Sequence, residues 1–287
     1  MQKIENEFLI VCSKPEGAEL CSIFNKQTNL EYLWQAEKAW PKHAPVLFPI
    51  VGQLKNNIYF HNGEKYSLDR HGFARTRTFD VVNVQQPSVE YAIGSNVDTL
   101  AVYPFNFNLK IRYELEGATL KIIYIVQNNG KEELLFSIGA HPAFKVPLVA
   151  GESYDDYYLE FNKEENTERW LLNNGLFDNK SIPFLKNTKI LPLTKSLFYE
   201  DALVFKNLKS SMISLKSNKN IHGLHFQFEN YPYFGIWAAK DADFICLEPW
   251  HGIADSVNSD QQLKNKEGII SLLPGREFYC DFSVTTF

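Results

Sequence analysis

Alternation with a period of two is the feature that most constrains this chain. Leu109, Ile111, Tyr113 and Leu115 are separated by Lys110, Arg112 and Glu114, and after Glu116-Gly117-Ala118 the pattern resumes at Leu120, Ile122, Tyr124 and Val126. Successive strand side chains point to opposite faces, so this spacing predicts a β-hairpin with one face buried. Similar runs occur at Phe8–Cys12, Leu20–Phe24, Phe79–Val84, Tyr157–Phe161, Ala202–Phe205, Phe226–Phe228, Tyr233–Trp237 and Phe278–Val284. Asn62-Gly63, Asn129-Gly130, Asn174-Gly175 and Pro274-Gly275 supply turn chemistry between such runs. Only Asp260–Lys266 reads as one or two helical turns. Many short strands with few helices predict an all-β fold built as a large antiparallel β-sandwich or barrel. The 287 residues would permit two domains. With no linker, charge block or internal repeat to divide them, a single domain over residues 1–287 is expected.

Composition restricts the function classes. Hydrophobic residues at 45% and aromatic residues at 14% suffice for a large core or an aromatic-lined cleft and argue against disorder. A formal net charge of −5 argues against nucleic acid and against an anionic membrane as partners, since both call for a basic surface. Cys12, Cys21, Cys246 and Cys280 have no Cys-x-x-Cys spacing, so neither a zinc ribbon nor a disulfide framework is expected. Reduced thiols, no signal-peptide pattern and no apolar span of bilayer length lead to the expectation of a cytoplasmic protein.

Two ionisable residues interrupt apolar, strand-like runs. They are Glu248 in Phe244-Ile245-Cys246-Leu247-Glu248-Pro249-Trp250-His251 and His141 in Phe136-Ser137-Ile138-Gly139-Ala140-His141-Pro142-Ala143-Phe144. The proline after each disfavours helical backbone, so both side chains are expected from extended chain near a strand end. An unpartnered buried carboxylate or imidazole is costly, which leaves a satisfied polar core network or an acid/base pair. Alternation puts Glu248 on the face of Cys246 and Phe244, where desolvation raises a carboxyl pKa toward the range of a general base.

A third cluster, Asp69-Arg70-His71-Gly72-Phe73-Ala74-Arg75-Thr76-Arg77, is polar and basic around one glycine. One reading is a solvated loop. The other is a bend at Gly72 that lets His71 and Arg75 grip hydroxyls or an anion, with strand alternation placing Arg75 and Arg77 on one face.

Taken in order, His71-Gly72, the His141 context and Leu247-Glu248 followed by His251 and Asp255 resemble the signature segments of the aldose 1-epimerase (galactose mutarotase) superfamily. Pro45-Val46-Leu47-Phe48-Pro49-Ile50-Val51-Gly52, His71-Gly72-Phe73-Ala74-Arg75, and Lys266-Glu267-Gly268 before Leu273-Pro274-Gly275 are similar to its LacX-type branch. The resemblance implies a single galactose mutarotase-like supersandwich that interconverts the α and β anomers of a hexose, an isomerase without cofactor or metal. It implies Glu248 as general base, His141 as general acid, and His71, Arg75 and Asp201 as substrate-binding residues. Gly52-Gln53-Leu54-Lys55-Asn56-Asn57 departs from the arginine-bearing glycine-arginine-asparagine-arginine pattern of other mutarotases, so their sugar preference does not carry over.

The expected partner is therefore a small aldose, with Trp237 and Trp250 as candidates either for stacking on the sugar or for core packing. Three alternatives stay open. A hexose 6-phosphate would use the basic cluster, and a non-catalytic carbohydrate-binding protein would need only the aromatic cleft. A hydrolase would need a zinc ion on the histidines and Glu248, or a second carboxylate such as Asp201 or Asp255. The histidines lack His-Glu-x-x-His spacing.

Overall fold

The computed structural model describes residues 1–287. Phe107–Glu116 and Thr119–Asn128 form the hairpin that the alternation predicts, with Leu109 opposite Val126 and Tyr113 opposite Ile122. Leu109, Ile111, Tyr113 and Leu115 are buried on one face, while Lys110, Arg112 and Glu114 turn away from it.

This hairpin belongs to a 15-stranded antiparallel sheet that runs from Val46–Leu47 at one edge to Asp80–Gln85 at the other. Near the first edge lie Ile138–Ala140, Phe244–His251, Tyr233–Trp237 and Leu203–Lys206, in that order. The sheet curls over its own inner face. Phe48, beside the first edge, packs 5.1 Å from Phe107 in the far half, and Phe226 lies 5.9 Å from Phe144. A cluster of 70 buried residues fills the enclosed space. Gln2–Glu5, Leu9–Ser13, Leu20–Asn25 and Leu30–Glu31 form a separate four-stranded antiparallel sheet.

Four local features differ from the sequence expectations. The strand expected at Tyr157–Phe161 continues to Asn173 and returns as Leu176–Pro192, a hairpin twisted by several register shifts. Its charged middle, Lys163-Glu164-Glu165, breaks the alternation that marks a strand. Asn174 and Gly175 make its turn with φ of 51° and 81°, the left-handed pair that a tight two-residue hairpin needs. Val97–Val102 is a short α-helix closed by a reciprocal Asn96 and Thr99 capping box, too short to carry a helical period. Finally, Ala74–Thr76 is a 3₁₀ turn, so Arg75 and Arg77 do not share a strand face. Arg77 instead turns toward Asp98 at 3.8 Å. The turns expected at Asp260–Lys266 reduce to a 3₁₀ turn at Leu263–Asn265.

Candidate active site

Strand Phe244–His251 is flanked on one side by two short segments, Ile138–Ala140 and Ala143–Lys145. They are one strand interrupted at His141-Pro142. Proline lacks the donor that a ladder needs, and the interruption falls beside Leu247, whose N–H reaches the Pro142 carbonyl at 3.3 Å. His141 is thereby freed from the ladder and turned toward Glu248, with His141 Nε2 and Glu248 Oε2 3.3 Å apart. The Glu248 side chain is 2% exposed and that of His141 12%.

Burial dominates the electrostatics of this pair. It raises the Glu248 carboxyl well above the ordinary carboxylate range, and the nearby Asp201 charge reinforces the rise. The Trp250 indole N–H lies near enough to oppose it but outside hydrogen-bond geometry. Burial also pulls His141 down to about 3, helped by the Arg75 and Lys42 charges. Both shifts favour the uncharged forms, a protonated carboxyl beside an unprotonated imidazole. Trp40 stacks on the His141 ring at 5.0 Å and Trp237 meets it edge-on at 5.6 Å, which fixes the imidazole plane.

His71 lies across the cleft with its ring 5.7 Å from that of His141. Its backbone adopts φ 69°, and Gly72 beside it also has φ 69°. A Cβ at Gly72 would come within 2.3 Å of the Phe48 carbonyl oxygen, so the close bend expected there requires glycine. The Gly52 N–H donates to His71 Nδ1 at 3.1 Å, which leaves the proton of the neutral ring on Nε2. Desolvation, with the neighbouring charges of Arg75 and Arg70, keeps the ring neutral.

The same cleft is lined by Arg75 and Asp201, so it gathers Glu248, His141, His71, Arg75 and Asp201 together. The Arg75 Nε–H is buried and has no partner in the protein. Asp201 accepts the Ala202 N–H at 2.7 Å. Trp237 and Trp250 line the cleft as well. The Trp250 indole lies against two glycines on the neighbouring strands: a Cβ at Gly139 would sit 2.6 Å from Cδ1, and one at Gly235 would sit 2.4 Å from Cη2.

Sequence reasoning did not find Trp40, nor Leu172, Gly175 and Phe177, which the tip of the long hairpin brings to the cleft. The Asn174-Gly175 turn was legible, but nothing local indicates where such an arm docks. The Cys246 thiol, the His141 imidazole and the Glu248 carboxylate lie within 4.8 Å of one another, a grouping able to hold a metal ion. His71 is not in that group.

A family model described as aldose 1-epimerase matches residues 3–270, and the chain belongs to the aldose 1-epimerase family. Within it the chain falls in the LacX-like branch. The plasmid form of Protein LacX from Lactococcus lactis subsp. lactis is 37% identical over 283 residues, which are 95% of this chain and 94% of that protein. The crystal structure of a galactose mutarotase related enzyme from Lactobacillus acidophilus superposes with a TM-score of 0.96 at 34% identity, covering 100% of this chain and 97% of that one. A galactose mutarotase-like protein from Lactobacillus casei gives a TM-score of 0.94 at 30% identity, with both chains covered completely. Family and neighbours together support mutarotase chemistry in general, that is, an isomerase-type enzyme with a sugar substrate. No helix is long and apolar enough to cross a membrane.

Proposed function

We propose that the chain, acting as one domain over residues 1–287, is an aldose 1-epimerase that opens and recloses the cyclic hemiacetal of a hexose. The supporting observation is the 3.3 Å approach of His141 Nε2 to Glu248 Oε2 at the floor of a cleft lined by aromatic rings. The reactive form is a tautomer of the one-proton pair, reached when Glu248 passes its proton to His141. Carboxylate Glu248 then takes the proton from the C1 hydroxyl while imidazolium His141 protonates the ring oxygen, and the C1–O5 bond breaks to the open aldehyde. Rotation about C1–C2 presents the other carbonyl face. On reclosure O5 attacks C1, His141 recovers the O5 proton and Glu248 returns one to the C1 oxygen. Oxidation states do not change and no group leaves, so an acid and a base suffice, each contributing about 10²–10⁴-fold. The reading therefore requires no cofactor or metal. His71, Arg75 and Asp201 hold the ring hydroxyls, and Trp250 offers its indole to an apolar sugar face.

The test is polarimetry on freshly dissolved α-glucose and α-galactose. Equilibration no faster than in buffer, at substrate levels where binding is measured, would reduce the protein to a carbohydrate-binding role. A second reading rests on the arginines: Arg70 and Arg75 both line the cleft and neither forms a salt bridge. Two guanidinium groups without a salt-bridge partner suit a phosphate. Parallel rates on glucose and glucose 6-phosphate decide between a free hexose and its 6-phosphate.

A further inference from the structure

We propose that the buried Asp255–Lys266 pair is a positioning device that fixes His71 as an Nε2–H donor in the cleft. This inference rests on the proposed sugar-binding role of His71. The pair lies outside the cleft lining. Its side chains are 3% and 2% exposed and 3.0 Å apart. Replacing such a pair with apolar residues is often neutral or stabilising, so the pair by itself is weak evidence of stability. What distinguishes it is where its remaining hydrogen bonds go.

Asp255 Oδ2 accepts the backbone N–H of Lys55 at 2.9 Å. The Asp255 N–H donates to the Gln53 carbonyl at 2.8 Å, and its own carbonyl accepts from Phe177 N–H at 2.9 Å. Lys266 Nζ also donates to the Ile253 carbonyl. One residue thus ties together the 253–255 segment, the 53–55 loop and the tip of the long hairpin. Gly52 immediately precedes the 53–55 loop and makes two bonds to His71: its N–H donates to Nδ1, and its carbonyl accepts the His71 N–H at 2.8 Å. Gly52 packs directly against this segment, since a Cβ there would lie 2.5 Å from Cβ of Ala254, the residue between the two anchored ends. The other arm of the loop reaches the basic cluster through Gln53 Oε1, which accepts from Arg70 Nη2 at 2.8 Å. Moving the loop would release the Nδ1 bond, and the ring would be free to change tautomer or rotate.

A backbone substitution isolates this connection. Lys55 is the first residue of a 3₁₀ turn, and Leu54 before it has φ −84° and ψ 148°, the conformation a pre-proline residue prefers. Lys55→Pro removes the N–H that Asp255 accepts while leaving the charged pair in place. Lys55→Ala is its control, because it loses the side chain and keeps the N–H. Two readouts are used: ¹⁵N chemical shifts of the His71 ring without sugar, and KM and kcat for mutarotation of glucose. The wild type and Lys55→Ala are expected to have a protonated Nε2 and a hydrogen-bonded, unprotonated Nδ1. Lys55→Pro is expected to lose that pattern and to raise KM roughly tenfold with kcat changed less than KM, since small misplacements of a positioning group carry penalties of this order. If Lys55→Pro does not fold, Asp255→Leu/Lys266→Met, which removes the acceptor of the Lys55 N–H together with the charged pair, is measured against the same expectations.

A wild-type ring protonated on Nδ1, or a folded test variant with unchanged His71 shifts, would overturn the proposal. A shifted His71 pattern with unchanged KM would uphold the positioning device and remove His71 from sugar binding.

Discussion

Glu248→Gln separates catalysis from stability, with opposite signs. Glutamine keeps the volume of a side chain that is 2% exposed and leaves no cavity, and its amide can still meet His141 Nε2 across 3.3 Å. It cannot carry a proton between O1 and the imidazole. The loss expected is that of one general base, about 10²–10⁴-fold in kcat/KM, or roughly 3–5 kcal/mol of barrier. Stability should move the other way. Burial raises the carboxyl pKa well above 4.5 in the folded protein. As pH rises past 4.5 the unfolded chain loses this proton while the folded chain keeps it, so at this site the folded state binds more protons and the Glu248 contribution to wild-type stability falls with pH. The fall is about 1.4 kcal/mol per pH unit until the folded-state pKa is reached. Glutamine does not titrate, so the variant should gain on the wild type from pH 5 upward. Polarimetry gives the rate, and urea unfolding at several pH values gives the stability difference. Activity within a factor of ten of wild type, or a stability difference independent of pH, would refute the assignment of Glu248 as a buried, protonated catalytic carboxyl.

Other expectations follow from the same geometry. The pH–rate profile should have a broad plateau, with an acid limb near the value of about 3 to which His141 is depressed and an alkaline limb well above 4.5, both belonging to the coupled pair. An acid limb near 6.5, the ordinary imidazole value, would contradict this. Gly235→Ala should tilt the Trp250 indole, lowering stability by about 1–3 kcal/mol in urea titrations and altering tryptophan fluorescence, as overpacking does; an unchanged emission spectrum would count against the close bed for the ring. Arg75→Ala should raise KM for glucose more than it lowers kcat, and the reverse split in steady-state kinetics would move Arg75 from binding to chemistry. Prolonged chelation should leave the rate unchanged. Activity lost to chelator and restored by zinc would make His141, Cys246 and Glu248 a working metal site.

The alternation from Leu109 to Val126 determined a one-faced hairpin, because residue spacing alone decides which side chains share a face of a strand. The two X-Pro interruptions similarly picked out Glu248 and His141, since an ionisable group in an apolar run is conspicuous without any structure. The ordered family segments added His71, Arg75 and Asp201, and all these residues line one cleft. Alternation failed at Arg75 and Arg77, where a 3₁₀ turn replaces extended backbone.

What the tertiary structure decided is everything that depends on long-range closure. The sheet curls until Phe48 meets Phe107, and the hairpin arm returns Leu172, Gly175 and Phe177 to a cleft whose floor is built from strands distant in sequence. Trp40 reaches His141 across about a hundred residues of chain, with no periodic signal to announce it. The protonation of the site belongs to this level too. A sequence can name a carboxyl and an imidazole, but desolvation by the assembled walls is what pushes one pKa up, pulls the other down and leaves a single proton between them.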